Sequence, residues 1–248
     1  MAGYGQFCPI AQGAEVLAQP WTPLVLRELL AGSHRFSDLQ RGLPGMSRSL
    51  LSSRLRSLER AGLLERRARE NGYGHDYHPT RAGEDARAVV VAIGEWGYAW
   101  GSNELKPRNL DAGLLLWFMR RRMRTDNFPA AQTVIQFEFT EPRRRSFWMI
   151  LNRPGVEVCL TDPGFPIDVH VTAALRTLTQ VYLGRIGLRD AIANHTVELA
   201  GDRALCRAFP DWYGVSPYAP ADAAKAPADA KPPRATPGQS PLRLTSSL

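Results

Sequence analysis

One stretch of this sequence, in which serines and arginines separate the leucines, has the residue types best suited to binding a charged ligand. Residues 47–69 read SRSLLSSRLRSLERAGLLERRAR, and only Glu59 and Glu65 among them are acidic. Solvated surface helices usually carry both charge signs, so this composition favours a polyanionic partner. At about 100° per residue, a helix here would separate an apolar face from a polar one: Leu51, Leu55 and Leu58 against Ser49, Ser53, Arg56 and Arg60.

The elements around this stretch predict how it is held. Ser47 can cap a helix that Gly62 ends, and three helical segments precede it within residues 8–42: CPIAQGAEVL, TPLVLRELL and FSDLQRGL. Residues 63–79 predict a hairpin, because two short arms flank the turn sequence ENGYG. Helix, short helix, capped helix and basic hairpin, in that order, predict a winged helix-turn-helix whose capped helix enters the major groove.

The candidate DNA contacts lie on the capped helix and on the hairpin. Arg48 and Arg56 are long enough to reach guanine N7 and O6, whereas Arg54 and Arg60 suit phosphates. Short serines let the helix approach the bases closely. For any single arginine, simple exposure to solvent is as good an explanation as a DNA contact. The order of the helices and the hairpin, taken together with the arginines, is what favours DNA. The predicted contacts are Ser47, Arg48, Ser49, Ser52, Ser53, Arg54, Arg56, Arg60, Arg67, Arg69 and His75.

The positive charge of the chain is concentrated near this helix. The net charge is +7 and the pI is about 9.7. Residues 41–69 contain eight arginines against two glutamates. A local excess of guanidinium groups favours phosphate or guanine as the partner.

The segment after the hairpin, residues 80–101, predicts one long helix with an apolar seam. Its four glycines weaken it as an isolated helix, so packing must stabilise it. The 4-3-4-3-4 spacing predicts that it packs against another helix, which a second subunit could supply. The seam consists of Ala82, Ala86, Val89, Ile93, Trp96 and Trp100.

A second domain is predicted beyond a polar break at residues 102–109. It opens with an amphipathic helix that ends in MRRRMR (119–124), whose arginines suit the negative end of the helix dipole. Alternating apolar residues then predict strands between positions 135 and 171, followed by further helices. The chain is therefore predicted to be α+β, with an antiparallel sheet covered by helices on one side.

The predicted organisation is two domains and a tail. A winged helix-turn-helix and dimerisation domain spans residues 7–101, an α+β domain spans 110–212, and a Pro/Ala-rich disordered tail spans 216–248. No signal peptide or membrane span is evident, which predicts a cytoplasmic protein without a membrane partner. No catalytic or metal-ligand spacing is present, so we predict neither an enzyme nor a cofactor or metal site.

The first domain resembles the HxlR-type winged-helix transcriptional regulators of bacteria over about residues 7–101. The motifs that carry the resemblance are Cys8-Pro9, Trp21-Thr22, LREL at 26–29, FSDL at 36–39 and Gly62-Leu63. The resemblance implies a homodimer, formed by the N-terminal and post-wing helices, that binds a palindromic operator in double-stranded DNA. Some members sense electrophiles or oxidants through the cysteine that corresponds to Cys8. The alternative is a small buried thiol at the dimer interface.

The second domain resembles, by pattern and element order, the sterol-carrier-protein-like fold. The resemblance implies an apolar cavity and a small hydrophobic effector, while the alternative is that the same side chains fill the core. The predicted lining residues are Trp117, Phe137, Phe139, Phe147, Trp148 and Met149.

Two functions from different classes are consistent with these patterns. The leading hypothesis is a homodimeric, sequence-specific DNA-binding regulator, most simply a repressor, gated by a small hydrophobic effector in the C-terminal domain. The alternative is a lipid or small-molecule binding or carrier protein whose winged helix mediates protein contacts. The salt dependence of DNA binding separates the two hypotheses.

Overall fold

The computed structural model describes residues 3–69, 73–102, 104–129, 131–153 and 155–220. Its first domain begins with a compact group of helices. Thr22 and Pro23 open the second of these helices, since proline is favoured in the first turn of a helix, and Ser47 caps the fourth. The four helices are α1 (Pro9–Leu17), α2 (Thr22–Leu30), α3 (Phe36–Gly42) and α4 (Arg48–Arg60).

The apolar face of α4 anchors this helix in the first core. Leu51, Leu55 and Leu58 are all buried, and they pack in one cluster with residues of α2 and α3 such as Leu26 and Leu39. The two faces predicted from the leucine spacing are therefore confirmed. Burying three leucines contributes roughly 1.5–3 kcal/mol each relative to exposure, which fixes the rotation of the helix.

The hairpin pairs as an antiparallel wing, β1 (Leu64–Ala68) with β2 (His75–Pro79). Residues 70–72 of the predicted turn lie outside the described residues.

The helix predicted at residues 80–101 is divided in two, α5 (Arg81–Asp85) and α6 (Arg87–Trp100). Gly83 lies so close to the Leu63 carbonyl that a Cβ would collide with it, and Ala86 packs into the first core. Both contacts hold α5 at the base of the wing, so the chain turns at Ala86 before α6 begins. The heptad spacing alone carries no sign of this turn.

The second domain is the predicted α+β unit. A helix leads into three consecutive strands, and a fourth strand, two helices, a fifth strand and a last helix follow. In chain order these are α7 (Ala112–Arg120), β3 (Thr133–Phe139), β4 (Arg145–Asn152), β5 (Gly155–Cys159), β6 (Val169–Ala173), α8 (Leu175–Tyr182), α9 (Leu188–Ala193), β7 (Val197–Gly201) and α10 (Arg203–Trp212).

The sheet of this domain is mixed, whereas the sequence pattern predicted an antiparallel one. The strand order is β5-β4-β3-β6-β7, and β6 runs parallel to β3 while the other neighbours are antiparallel. Alternation of apolar and polar residues reports that a strand has a buried face. It does not report the direction in which the strand pairs, and the segment between β5 and β6 crosses to the other side of β3.

The packed chain extends into the segment predicted as the start of the tail. Ser216 is buried, and its N–H donates to the Tyr182 carbonyl at 2.7 Å. Tyr218 lies against Gly94 of α6, so the segment after α10 contacts both domains. The predicted boundary at 216 missed these contacts because Pro and Ala dominate the composition there. Residues 221–248 lie outside the described residues.

Within the described ranges, no helix has both the length and the apolar character that crossing a bilayer requires.

Candidate nucleic-acid interface and interdomain contact

Helix α4 presents its serines and arginines on the side opposite the first core. Ser47 stands at the N-cap, and its Oγ accepts the Leu50 N–H at 3.3 Å. Ser52 and Arg54 are half-buried at the margin of this face. The exposed members of the predicted set on this helix and at its cap are Ser47, Arg48, Ser49, Ser53, Arg56 and Arg60.

Three arginines on this face have no carboxylate partner among the described residues. The Arg48 guanidinium lies over the Phe36 ring at 5.4 Å. Arg60 donates to the Arg56 carbonyl and to Ser57 Oγ, both at 3.4 Å. No hydrogen bond of the Arg56 side chain is found within the described part of the chain. Within the part of the chain that the structure describes, no carboxylate neutralises their charges, which suits an anionic ligand.

Arg54 differs from its neighbours because it contacts the protein. Its Nη1 donates to Gln19 Oε1 at 3.0 Å, and its Nε is buried without a partner in the described residues. This contact ties α4 to the connection between α1 and α2. Arg54 was predicted as a phosphate contact, and the structure adds this structural role to it.

The wing arginines, unlike those on α4, lie in ion pairs. For the exposed pairs of Arg66 and Arg67, such an interaction is worth about 0–1 kcal/mol, so a phosphate can replace the carboxylate at little cost. His75, at the start of β2, is exposed. The three pairs are Arg66 Nε with Glu59 at 2.9 Å, Arg67 Nη2 with Glu65 at 2.6 Å and Arg69 Nε with Asp76 at 2.8 Å.

Two stacked histidines fix the base of the wing. The rings of His34 and His78 are 4.2 Å apart, and the Tyr77 N–H donates to the His34 carbonyl at 2.8 Å. Burial, followed by the neighbouring His34 and Arg67, lowers the pKa of His78. The neutral ring is thereby favoured, and the wing stays attached to the connection between α2 and α3.

A buried carboxylate joins the two domains. Glu28 of α2 is 0% exposed. It accepts from Arg121 Nη2 at 2.6 Å, from Trp117 Nε1 at 3.0 Å and from Arg27 Nε at 3.1 Å. Trp117 lies on α7 and Arg121 directly follows it, so both donors come from the second domain. Ser33 also takes part, because its Oγ accepts from Arg121 at 2.6 Å.

The side chain of Glu28 is closely packed on the side of α3. Gly42, at the end of α3, lies so close to the Glu28 carboxylate that a Cβ there would collide with it. Its carbonyl accepts from Arg27 Nη2 at 2.9 Å. The carboxylate is therefore enclosed by α2, α3 and α7.

The charge balance of this cluster is positive. Burial acts to raise the pKa of Glu28, but the hydrogen bond from Arg121 and the charges of Arg121 and Arg27 outweigh it and lower the pKa. Burial is also the main cause of a lowered pKa of Arg27, although Glu28 acts against it. One carboxylate thus serves two guanidinium groups in a region with little water.

This cluster was not predicted from the sequence, and its arginine was predicted to have a different role. Arg121 was predicted to favour the dipole of its helix, whereas it binds Glu28. Arg120 lies over the Trp117 ring at 3.6 Å. One sequence signal was available: Glu28 falls on the same helix face as the buried residues Val25 and Leu29, where a charge requires a partner.

Three of the six predicted pocket residues line a cavity of about 690 Å³, and three do not. Trp117, Phe139 and Phe147 contribute to it, and Arg41 and Pro44 add a wall from the first domain. Phe137 and Met149 belong to the interior of the second core instead. Trp148 is also buried, but it points away from that core because it alternates with Phe147 and Met149 along β4.

Cys8 directly precedes α1 and is half-buried. Its predicted role as a redox sensor stays a prediction.

A capped α4 with an exposed basic face, the helices beneath it and the antiparallel wing define a winged helix-turn-helix protein. Residues 16–105 match the family described as HxlR-like helix-turn-helix. The chain is 36% identical over 101 residues to the HTH-type transcriptional regulator sll1512 of Synechocystis, covering 40% of this chain and 75% of that protein. The chain therefore belongs to the HxlR-like helix-turn-helix family.

Other relatives agree in class. The HTH-type transcriptional regulator Rv3095 of Mycobacterium tuberculosis is 39% identical over 89 residues, which is 36% of this chain. That match spans 56% of the length of the mycobacterial protein. The reduced form of the transcriptional regulator YodB from B. subtilis shares 25% identity at a TM-score of 0.35, over 40% of this chain and 100% of YodB.

The family match and the two curated relatives, sll1512 and Rv3095, confirm the predicted family, and the family is one of transcriptional regulators rather than enzymes. The family match ends at residue 105. The sterol-carrier-like resemblance of residues 110–212 consequently stays a prediction.

Proposed function

We propose that the chain binds double-stranded DNA as a homodimer and represses transcription, with α4 of each copy in the major groove of a palindromic operator. The observation that carries the proposal is the exposed polar face of α4. Its Arg48, Arg56 and Arg60 have no carboxylate partner in the described structure. Short serines beside them allow close approach to the base edges. Membership of the HxlR-like family supports the same function.

The dimer is supported by an apolar stripe along α6. Val89, Ile93, Trp96 and Trp100 keep the heptad spacing and are all exposed, the two tryptophans by 65% and 59%. Exposed apolar patches of this kind mark interaction surfaces. A symmetric pair of α6 helices would bury the stripe and place two α4 helices on one face of the DNA.

The test of this function is the salt dependence of binding. We expect fluorescence anisotropy with promoter DNA to show an affinity that falls roughly 10³-fold between about 50 and 200 mM salt, if six phosphates are contacted. One site should be preferred strongly over unrelated DNA. DNA binding that depends on neither salt nor sequence would instead favour the alternative function, a small-molecule binding or carrier protein, which the cavity lined by Trp117, Phe139 and Phe147 supports.

Arg56→Ala should weaken operator binding by about 1–3 kcal/mol and relax specificity at one base position, because the proposal assigns a guanine contact to Arg56. Gel shifts against the operator and its single-base variants measure both effects. Arg176→Ala, an exposed arginine of α8, is the matched control and should change neither. If the two variants have the same specificity profile, Arg56 contacts phosphate or solvent and not a base.

Gating by a small hydrophobic effector is also part of the proposal. The cavity lined by Trp117, Phe139 and Phe147 has walls from both domains. A molecule bound there would contact the end of α3 as well as the sheet, so binding could be sensed by the DNA-binding domain.

Cys8→Ser should abolish any loss of operator affinity that diamide causes in the wild-type protein, if Cys8 is the sensor. The physical reason is that a hydroxyl cannot form the disulfide that diamide promotes. The half-buried Cys159 and Cys206 provide matched controls as serine variants. An identical response of Cys8→Ser and wild type to diamide would rule out this role.

A further inference from the structure

A second cavity, of about 660 Å³, lies between the domains. This volume is within the range of small-molecule sites, roughly 300–1,000 Å³. It shares only Asp111 and Leu114 with the lining of the first cavity. One wall comes from α2 and α6 and the other from α7 and α8, and its apolar surface includes Leu30, Val90, Val91, Leu115, Phe118 and Leu183.

Four arginines also line this interdomain cavity, and their charges are incompletely balanced. Arg27 and Arg121 share the single carboxylate of Glu28. Arg87 pairs with Glu84 outside the lining. Arg122 donates only to the Val215 carbonyl, at 3.1 Å, and has no carboxylate partner in the described chain.

The one acidic residue described in the lining is already engaged. Asp111 caps α7, where its Oδ1 accepts the Leu114 N–H at 2.8 Å. The same lining carries four guanidinium groups, two of which share the Glu28 carboxylate. The interdomain cavity therefore combines apolar walls with a surplus of positive charge.

A partly buried surplus charge is costly unless an anion compensates it. Arg27 and Arg121 have side chains only 29% and 18% exposed, so water screens them poorly. Phe118 lies under Arg27 at 4.7 Å, which places an aromatic surface beside the charge. These features match a ligand with one anionic group and a hydrocarbon body.

We propose that the interdomain cavity binds an apolar carboxylic acid, with its carboxylate at the arginines and its hydrocarbon against Leu30, Phe118 and Leu183. The site itself is independent of DNA binding. The further statement that this ligand is the effector rests on the proposed function, because α2 and α6 belong to the DNA-binding domain.

The first experiment is calorimetric titration of the full chain, without DNA, with decanoate and with decan-1-ol. We expect saturable binding of one decanoate per chain, at least about tenfold tighter than the alcohol, because a charge-assisted hydrogen bond contributes about 1.5–3 kcal/mol. Equal affinities of the acid and the alcohol, or no saturable binding of decanoate, would overturn the proposal.

Paired variants then locate the site. Arg122→Gln should weaken decanoate binding about tenfold, whereas Arg124→Gln, an exposed arginine outside the lining, should not. Ala31→Trp fills this cavity from an exposed position and should abolish binding. Leu160→Trp, which narrows only the first cavity, should leave binding intact. If Arg122→Gln or Ala31→Trp binds decanoate as tightly as its control variant does, decanoate does not bind in the interdomain cavity.

A last experiment distinguishes failure of this proposal from failure of the proposed function. Decanoate should change operator affinity in wild type but not in Ala31→Trp. If decanoate binds and operator affinity stays constant, the effector role is refuted. If the protein fails to bind DNA at all, the calorimetric result still decides whether the site exists.

Discussion

Replacing Glu28 with alanine should destabilise the protein by about 3–5 kcal/mol, because removing one partner of a buried charge cluster leaves the others uncompensated. Arg121 and Arg27 would keep their charges, and Trp117 Nε1 would lose its acceptor. At roughly 2–4 °C per kcal/mol for a chain of this size, calorimetry should show the melting temperature falling by roughly 10 °C.

Two comparisons make this prediction specific to the buried cluster. Glu59→Ala removes a carboxylate from an exposed pair with Arg66 and should cost less than about 1 kcal/mol. Replacing Glu28 and Arg121 together with methionine should recover part of the loss, since Arg121 is then no longer a buried charge without a partner and only Arg27 remains uncompensated. A single Glu28 variant as stable as Glu59→Ala would contradict the interdomain cluster.

The same cluster predicts a dependence on pH. The pKa of Glu28 lies below its ordinary value of 4.5 in the folded protein. The ionised carboxylate therefore adds stability above that value, and this contribution is lost as the pH falls below it. The difference in melting temperature between wild type and Glu28→Gln should accordingly shrink as the pH is lowered through 4.5.

The local patterns of the first domain could be predicted from the sequence because each has a short-range cause. Leucine spacing fixed the buried face of α4, Ser47 supplied its cap, and the Asn-Gly turn signal placed the wing strands. Exposure of Arg48 and Arg56 follows directly from burial of the leucines. The same reasoning found the strands of the second domain, since each has its own apolar alternation.

Long-range features could not be predicted in this way. The parallel pairing of β6 with β3 depends on where the chain returns after β5, which no local pattern encodes. Arg121 finds Glu28 only after both domains have folded, and the packing of Ser216 depends on a carbonyl of α8. The composition after residue 216 predicted a disordered tail. Whether a segment rich in Pro and Ala packs depends on the surfaces next to it in the fold, and composition does not report these.

Trp96→Ser should convert the proposed dimer into a monomer and nearly abolish operator binding. A tryptophan at the centre of an interface typically contributes about 2 kcal/mol or more. In a two-fold symmetric dimer the substitution removes two copies of this tryptophan, one from each subunit. The dimer should weaken by about 4 kcal/mol, or roughly 10³-fold, which sedimentation across a concentration series can measure. Trp96 is 65% exposed in the single chain, so the monomer fold should keep its stability.

The control for this prediction is an exposed aromatic residue outside the apolar stripe. Phe165 lies on the segment between β5 and β6 and is 46% exposed. Phe165→Ser should leave both sedimentation and operator binding unchanged. If Trp96→Ser sediments as the wild type does and binds the operator equally well, α6 does not form the dimer. The exposed stripe would then have to serve another partner, because a row of four large apolar side chains at heptad spacing is unfavourable in water without a covering surface.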